Sequence, residues 1–176
     1  PDLVRRLDAV LRPATDAFEV LLVDDCSRDG SWAAIRSLCA TSPVVRGIRL
    51  MRNFGQHNAL LCGIREAKRE LIVTIDDDLQ NPPEEIPKLL AALDDDYDVV
   101  YGTPREEQHG FWRDMASRIT KLALQNAMGA ETARQVSAFR AFRTSLREAM
   151  EAVRGPFVSI DVLLTCLAVS APIAFC

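Results

Sequence analysis

Apolar residues recur along this chain at helical and at strand spacing in turn. Helical spacing predicts helices over residues 2–12, Trp32–Cys39 and Ala59–Ala67. Compact apolar runs between them predict strands over Phe18–Val23, Val44–Leu50, Leu71–Ile75 and Tyr97–Tyr101. The proline pair and two acids of Pro82–Glu85 predict the start of a helix that continues to Leu93, because proline and acids both favour a first helical turn.

The second half of the chain is predicted to be mostly helical. We expect a long helix from about Phe111 to Met128, a short strand within 135–142, and helices over 144–153 and 159–169. The tail Ser170–Cys176 fits none of the expected elements. Strands that alternate with helices of this length predict an α/β fold of three layers, and strands that are apolar on both faces predict a mainly parallel sheet.

Composition, net charge and apolar run lengths exclude some classes of protein. A chain of 176 residues with 48% hydrophobic and 26% charged residues is expected to form one domain, 1–176, with its own core. The net charge of -4 argues against a nucleic-acid-binding protein, which would carry a basic stripe. The longest apolar run, Val162–Cys176, is too short to span a bilayer, and no signal peptide is visible, so we expect the chain as given to be soluble.

The cysteines show no pattern of a disulfide or zinc framework. There are five, an odd number, and none forms a C-x-x-C pair: Cys26, Cys39, Cys62, Cys166 and Cys176. We interpret them as reduced thiols of a cytosolic protein.

Two acidic clusters directly follow predicted strands. Asp24-Asp25 ends the first strand, and Asp76–Asp78 ends the third. Because ligands of open α/β sheets bind outside the carboxyl ends of the strands, we expect both clusters at one sheet edge. Close carboxylates repel one another by about 1–4 kcal/mol per pair, and a divalent cation or a hydrogen-bonded ligand would offset that repulsion. Oxygen ligands at i and i+2 suit Mg²⁺ or Mn²⁺. A third run, Asp94–Asp96, follows an amphipathic helix and is interpreted as a solvated turn.

Three motifs resemble those of a known enzyme family. V-D-D-C-S-R-D-G-S (Val23–Ser31) is similar to the nucleotide-binding segment of family 2 glycosyltransferases. R-N-F-G-Q-H (Arg52–His57) and D-D-D-L-Q-N-P-P-E-E (Asp76–Glu85) resemble blocks of its polyprenyl-phosphate subgroup, which includes dolichyl-phosphate and undecaprenyl-phosphate sugar transferases. The resemblance runs in register from about residue 2 to 168. It implies a GT-A-type, Rossmann-like three-layer sandwich whose first strand is missing here.

The resemblance also implies roles for individual residues. Asp25 would hydrogen-bond the nucleobase of a UDP- or GDP-sugar, with Asp24 nearby. The residues that would hold Mg²⁺ or Mn²⁺ on the diphosphate are Asp76, Asp78 and Gln80. Asp76 would also lie on the ribose side, and Asp78 would take part in the catalytic step. An acid at the middle position, Asp77, departs from the small residue usual in the family. Inversion at the anomeric carbon is likewise implied by the family.

The segment that the resemblance assigns to acceptor binding differs in sequence from that of many relatives. Q-V-S-A-F-R (Gln135–Arg140) stands where they carry Asp-x-Gly-Asp-Phe-Arg, so both acids are absent. A phosphate monoester, with a second pKa near about 6, is already nucleophilic at neutral pH and needs no base. This favours a polyprenyl phosphate acceptor, for which Arg105 and Arg140 are the candidate phosphate ligands, with Arg140 also counted as catalytic. His57 is interpreted as a packing or capping residue.

Other functions remain open from the sequence. A family 2 transferase acting on a carbohydrate or small-molecule hydroxyl, and a non-catalytic nucleotide-binding module, would carry the same motifs. A magnesium-dependent phosphatase is disfavoured because neither cluster has a nucleophile-bearing D-x-D-x-[TV] pattern. Since the family's opening strand and its closing membrane-associated elements are missing, we expect a fragment that binds nucleotide sugar weakly and turns over slowly. The full-length protein would work in the cytoplasm at the inner face of the membrane.

Overall fold

The computed structural model describes residues 1–15, 17–93, 97–102, 137–151, 159–167 and 173–175. The helices are α1 (Asp2–Leu11), α2 (Ser31–Thr41), α3 (Gln56–Glu66), α4 (Ile86–Ala92), α5 (Leu146–Glu151) and α6 (Ile160–Leu167). The strands are β1 (Val20–Asp24), β2 (Val45–Arg49), β3 (Leu71–Thr74), β4 (Val99–Tyr101), β5 (Arg140–Arg143) and β6 (Ile173–Phe175). A short 3-10 helix, Pro83–Glu85, precedes α4. The predicted helix Phe111–Met128 lies outside the described residues.

The strands form two ladders. β1 and β2 pair in parallel, with Val20 opposite Val45 and Asp24 opposite Arg49. The second sheet has the order β3-β5-β4-β6, in which β4 and β6 are parallel and β5 runs antiparallel to both of its neighbours. Because β3 and β4 both oppose β5, they point the same way. Among the described strands no ladder joins β1 to β3.

The prediction for the C-terminal tail was wrong. Ile173–Phe175 forms β6, which pairs in parallel with Val99–Tyr101. Three residues are too few to show a strand period, so the pairing partner, rather than the local pattern, makes this segment a strand.

Helices cover the sheet on both faces, which confirms the α/β prediction. One core cluster joins α3, α5 and α6 to the sheet, with Ile64, Met150 and Leu164 almost fully buried. The other joins α1 and α4 to the opposite face through Leu7 and Leu89. No helix in the described ranges combines the length and apolar character needed to cross a membrane.

Alternation along β4 assigns its side chains to the two clusters. Val99 and Tyr101 pack on the α3 side, whereas Val100 packs on the α1 side. The second cluster also contains Val20 from β1 and Val45 from β2. Both ladders therefore contribute side chains to the second cluster.

Candidate functional site

Asp24, the last residue of β1, is buried, with 3% of its surface exposed. Its Oδ1 accepts a hydrogen bond from the Ser27 backbone N–H at 3.0 Å. Its Oδ2 lies 3.2 Å from Nε of Arg49, the residue opposite it in the β1–β2 ladder. These contacts tie the turn after β1 to the ends of both strands.

Asp25 binds the loop that leads into α3. Its Oδ1 accepts the backbone N–H of Phe54 at 2.8 Å, and its Oδ2 accepts that of Gly55 at 2.7 Å. Gly55 has a φ of 88°, a backbone conformation that residues with a side chain rarely adopt. The carboxylate therefore joins the first acidic turn to a loop of defined shape.

Gln56, the first residue of α3, contacts the second acidic cluster. Its Nε2 donates a hydrogen bond to Oδ1 of Asp76 at 3.0 Å. Phe54, Gly55 and Gln56 are consecutive, so one three-residue segment touches both acidic clusters. The structure therefore brings the two acidic clusters close together, although β1 and β3 belong to different ladders.

Opposing electrostatic effects act on the carboxyl group of Asp76. Burial, followed by the charge of Asp78, raises the pKa of the Asp76 carboxyl, and Asp77 adds to the effect. The positive charge of Arg140 and the hydrogen bond from Gln56 oppose that rise. On balance the charged form of Asp76 is disfavoured, mainly by burial and then by Asp78, and a bound cation would offset both effects.

The second acidic turn continues beyond Asp76 with exposed side chains. Asp78 Oδ1 accepts the Gln80 backbone N–H at 3.0 Å, which closes the turn, and Leu79 between them has a φ of 61°. Asp77, Asp78 and Gln80 are all exposed. Cys26 in the first acidic turn also has a φ of 61°. A left-handed conformation costs such residues of order 1–3 kcal/mol, so the fold maintains both turns against backbone strain.

Arg140 is a core residue. It is 1% exposed, and its Nε donates to Oγ1 of Thr74 at 3.0 Å while Nη1 pairs with the carboxylate of Asp161 in α6. The Arg140 Cζ lies 5.9 Å from the ring centroid of Tyr101. Burial, and secondarily the charge of Asp161, raises the pKa of Tyr101 to about 12, so its hydroxyl remains protonated at neutral pH. The guanidinium thus bridges β3 and α6 behind the acidic turn. The predicted contact of Arg140 with an acceptor phosphate stays a prediction.

The remaining sequence-predicted residues have mixed outcomes. Arg105 lies outside the described residues. His57 accepts a hydrogen bond at Nδ1 from the Ile160 backbone N–H at 3.4 Å, at the first turn of α6, which confirms its packing or capping role. The cysteines whose side chains the structure describes are free thiols: Cys26, Cys39 and Cys62.

Comparison with known proteins identifies the family. Residues 1–151 match the profile of Glycosyl transferase family 2. The chain belongs to that family. An undecaprenyl-phosphate 4-deoxy-4-formamido-L-arabinose transferase of Pseudomonas paraeruginosa (strain DSM 24068 / PA7) is 41% identical over 168 residues, which cover 93% of this chain and 48% of the relative. The chain therefore spans about half the length of the relatives it matches.

Solved structures agree on the GT-A fold. The mannosyltransferase PcManGT of Pyrobaculum calidifontis, in complex with GDP-Man and Mn²⁺, superposes with a TM-score of 0.66 at 20% identity, covering 99% of this chain and 50% of that one. Glucosyl-3-phosphoglycerate synthase of Mycobacterium tuberculosis, in complex with UDP, gives a TM-score of 0.64 at 21% identity, covering 98% and 64% of the two chains. At these identities the likeness establishes the fold alone.

The donor set of this family 2 domain fits a hard divalent cation. Asp76, Asp78 and Gln80 offer carboxylate and amide oxygens from one turn, the ligand type that Mg²⁺ and Mn²⁺ prefer. Within the described ranges, no group of three or more His, Cys, Asp or Glu side chains is arranged to hold a metal. A cation here would therefore take several of its ligands from substrate phosphate and water, as Mg²⁺ sites commonly do.

Sequence analysis of this family 2 domain missed three residues of the site. Gln56 lies within the R-N-F-G-Q-H motif, but its Asp76 partner is 20 residues away. Asp161, 21 residues from Arg140, is a single acid in the apolar stretch Ile160–Leu164, a pattern that could have signalled a buried partner. Thr74 looked like an ordinary strand residue.

Proposed function

We propose that the full-length protein is an inverting, metal-dependent glycosyltransferase that moves a sugar from a nucleotide diphosphate donor to a polyprenyl phosphate. One observation carries the proposal: the segment Phe54–Gln56 contacts Asp25 on one side and Asp76 on the other. A nucleotide sugar needs such neighbouring subsites, one for the base and one for the charged diphosphate. The names of the relatives at about 40% identity support the lipid acceptor.

The first acidic turn is proposed to bind the nucleoside. Asp25 uses one acceptor site on each oxygen for a backbone N–H, and each carboxylate oxygen has a second lone pair. That remaining capacity suits the ring N–H groups of uracil or guanine. Asp24, which is buried and paired with Arg49, would hold the turn in place.

The second acidic turn is proposed to bind the diphosphate with its cation. Asp76, Asp78 and Gln80 would hold Mg²⁺ or Mn²⁺. When bound, such an ion supplies positive charge against the leaving nucleoside diphosphate. Exposure of Asp78 and Gln80 leaves their side chains accessible to substrate, while Gln56 orients the half-buried Asp76.

The acceptor is proposed to be a phosphate monoester on a polyprenyl lipid. Its oxygen is ionised and nucleophilic at neutral pH, so the missing acids of Gln135–Arg140 are no obstacle. Arg105 and Arg140 are the proposed phosphate ligands, and Arg140 would have to exchange its Asp161 partner for direct contact. With a lipid acceptor and a nucleotide-sugar donor from the cytoplasm, the full-length protein would work at the inner face of the membrane.

Transfer assays with the full-length protein test this proposal. The protein is incubated with undecaprenyl phosphate vesicles and radiolabelled UDP- or GDP-sugars, including 4-deoxy-4-formamido-L-arabinose donors. We expect label in the organic phase with Mn²⁺ or Mg²⁺ and none with EDTA. Asp78→Ala is expected to lose transfer by about 100-fold or more, the usual effect of removing an electrostatic group from such a site.

Asp77→Ala is the matched control, because Asp77 is the adjacent exposed acid with no proposed ligand role. It should retain transfer within a few fold. Label found only on a water-soluble hydroxyl acceptor would replace the lipid acceptor by a carbohydrate. Metal-independent nucleotide binding without any transfer would favour a non-catalytic module.

A further inference from the structure

Three consecutive residues form the covalent link between the two acidic turns. The backbone N–H groups of Phe54 and Gly55 are bound by Asp25, and the side chain of Gln56 binds Asp76. Along the chain, Asp25 is 30 residues from Gly55, and Gln56 is 20 residues from Asp76. Within the part of the chain that the structure describes, Phe54, Gly55 and Gln56 therefore connect the two turns through hydrogen bonds.

The segment is held firmly enough to transmit a displacement. Asn58 Nδ2 donates to the Phe54 carbonyl oxygen at 2.8 Å, which closes the loop onto the first turn of α3. Further along α3, Leu61 and Ile64 are buried at 3% and 2% exposure, and α3 packs against β1. Asp25 and Gln56 are therefore connected through a segment that is fixed to α3, so a displacement of Asp25 would reach Gln56.

Gln56 can orient the Asp76 carboxylate without neutralising its charge. Its amide donates one hydrogen bond to Asp76 and adds no charge, so the carboxylate keeps its full negative charge for a cation. A lysine or arginine at this position would cancel that charge. Partners of this kind behind a metal-binding side chain affect metal affinity by about 10–100-fold in known metalloproteins.

We propose that Gln56 is a positioning residue that couples binding of the nucleoside at Asp25 to binding of the cation at Asp76. The inference rests on the proposed function and deepens it. Gln56 itself contacts neither substrate nor reacting atoms in this scheme. Ordering of Asp25 by a nucleobase sets the Phe54–Gln56 segment, and the segment then sets the Asp76 carboxylate.

Uridine and guanosine are the probes that isolate this route. They carry no phosphate, so Mn²⁺ cannot strengthen their binding through a diphosphate, and the Gln56 variants distinguish a route through Gln56 from a direct route through Asp76 and the ribose. In the full-length protein we expect saturating Mn²⁺ to tighten nucleoside binding by about 5-fold or more, within the usual range of coupling between sites. The nucleoside must then tighten Mn²⁺ binding, followed by its electron paramagnetic resonance signal, by the same factor.

Gln56→Met keeps the shape of the side chain and removes its donor. We expect the coupling factor to fall to about 1 in both directions. The nucleoside should still bind alone, Mn²⁺ should bind about 10–100-fold more weakly, and the thermal midpoint should stay within about 4 °C of the original. Gln56→Asn keeps an amide that is too short to reach Asp76, and it should lose the coupling as well. Should the Met variant fail to fold, the Asn variant decides the matter.

Binding of UDP and GDP separates the inference from the function it rests on. If Mn²⁺ strengthens UDP or GDP binding but leaves nucleoside binding unchanged, the function stands and the coupling is refuted. Retention of the full coupling factor in both Gln56 variants also refutes it. If neither nucleotide binds with Mn²⁺, the proposed function fails first.

Discussion

Arg140 in β5 and Asp161 in α6 form an ion pair in the protein interior, with exposed fractions of 1% and 7%. Thr74, two residues before Asp76, accepts a further hydrogen bond from the same guanidinium. Removing one partner leaves the other charge buried and unpaired. We therefore expect Asp161→Ala to lower the free energy of unfolding by about 3–5 kcal/mol in urea titrations.

A double variant separates the charge effect from lost packing. Arg140→Met with Asp161→Leu removes both charges and should recover most of the loss. Arg6→Ala, which breaks the exposed pair of Arg6 with Glu84, serves as a control and should have a far smaller effect. Equal destabilisation in the Asp161 variant and the Arg6 variant would contradict the assigned burial.

Asp76 is expected to reduce stability in the absence of a cation. Burial and Asp78 raise the pKa of its carboxyl, so the folded protein binds more protons than the unfolded chain, and stability falls as pH rises from the ordinary value near 3.8. Asp76→Asn removes that ionisation and retains an acceptor for Gln56. In metal-free buffer at pH 7 we expect a higher thermal midpoint, with the gain disappearing below the ordinary pKa.

The same variant should lose the stabilisation that Mn²⁺ and nucleotide confer on the original protein. Asp77→Asn, at an exposed position, is the control and should leave both properties nearly unchanged. A lower midpoint for Asp76→Asn at pH 7 would show that the carboxylate stabilises the fold, contrary to expectation.

Glu19 has the opposite pH dependence. Burial pushes the pKa of its carboxyl up, but hydrogen bonds from Arg46 and from the Lys68 backbone N–H outweigh that effect and lower the pKa. Its stabilisation is therefore present above the ordinary value near 4.5 and is lost as pH falls through the lowered value. Glu19→Gln should cost about 1–3 kcal/mol at pH 7, and the cost should shrink in acid. Urea titrations at several pH values check this, with the exposed Glu70→Gln as a control.

Gly102 follows β4 at a position without room for a side chain. A Cβ there would lie 2.9 Å from Cε1 of Phe139, whose carbonyl accepts the Gly102 N–H. Gly102→Ala should destabilise the protein by about 1–3 kcal/mol through overpacking. Gly30→Ala is the matched control, since a Cβ at Gly30 would meet nothing within 4 Å. A similar loss in both variants would show that the loss does not come from contact with Phe139.

Much of the fold follows from local pattern. The apolar run ending at Asp24 and the one before Asp76 became β1 and β3, and Pro82-Pro83 with the following acids became the 3-10 helix that leads into α4. These predictions succeed because the spacing of buried residues, and the residue types that favour a helix start, are both set by residues that are neighbours in the sequence. The proximity of the two acidic clusters was also expected, although the structure places β1 and β3 in different ladders.

Other features depend on contacts between distant residues. The antiparallel insertion of β5 between β3 and β4, and the pairing of β6 with β4, leave no distinct local signature because a strand's pattern is the same in either direction. The tail Ile173–Phe175 was missed because three residues are too few to show a strand period.

The sequence by itself determined which chemistry this protein carries: carboxylates of Asp25, Asp76 and Asp78 at strand ends, in motifs of a sugar-transferring family. Only the tertiary structure decided their partners, placing Gln56 on Asp76 and burying Arg140 against Asp161. The physical reason is that side-chain period encodes which face is buried, whereas a hydrogen-bond partner 20 or more residues away is selected by how the layers pack.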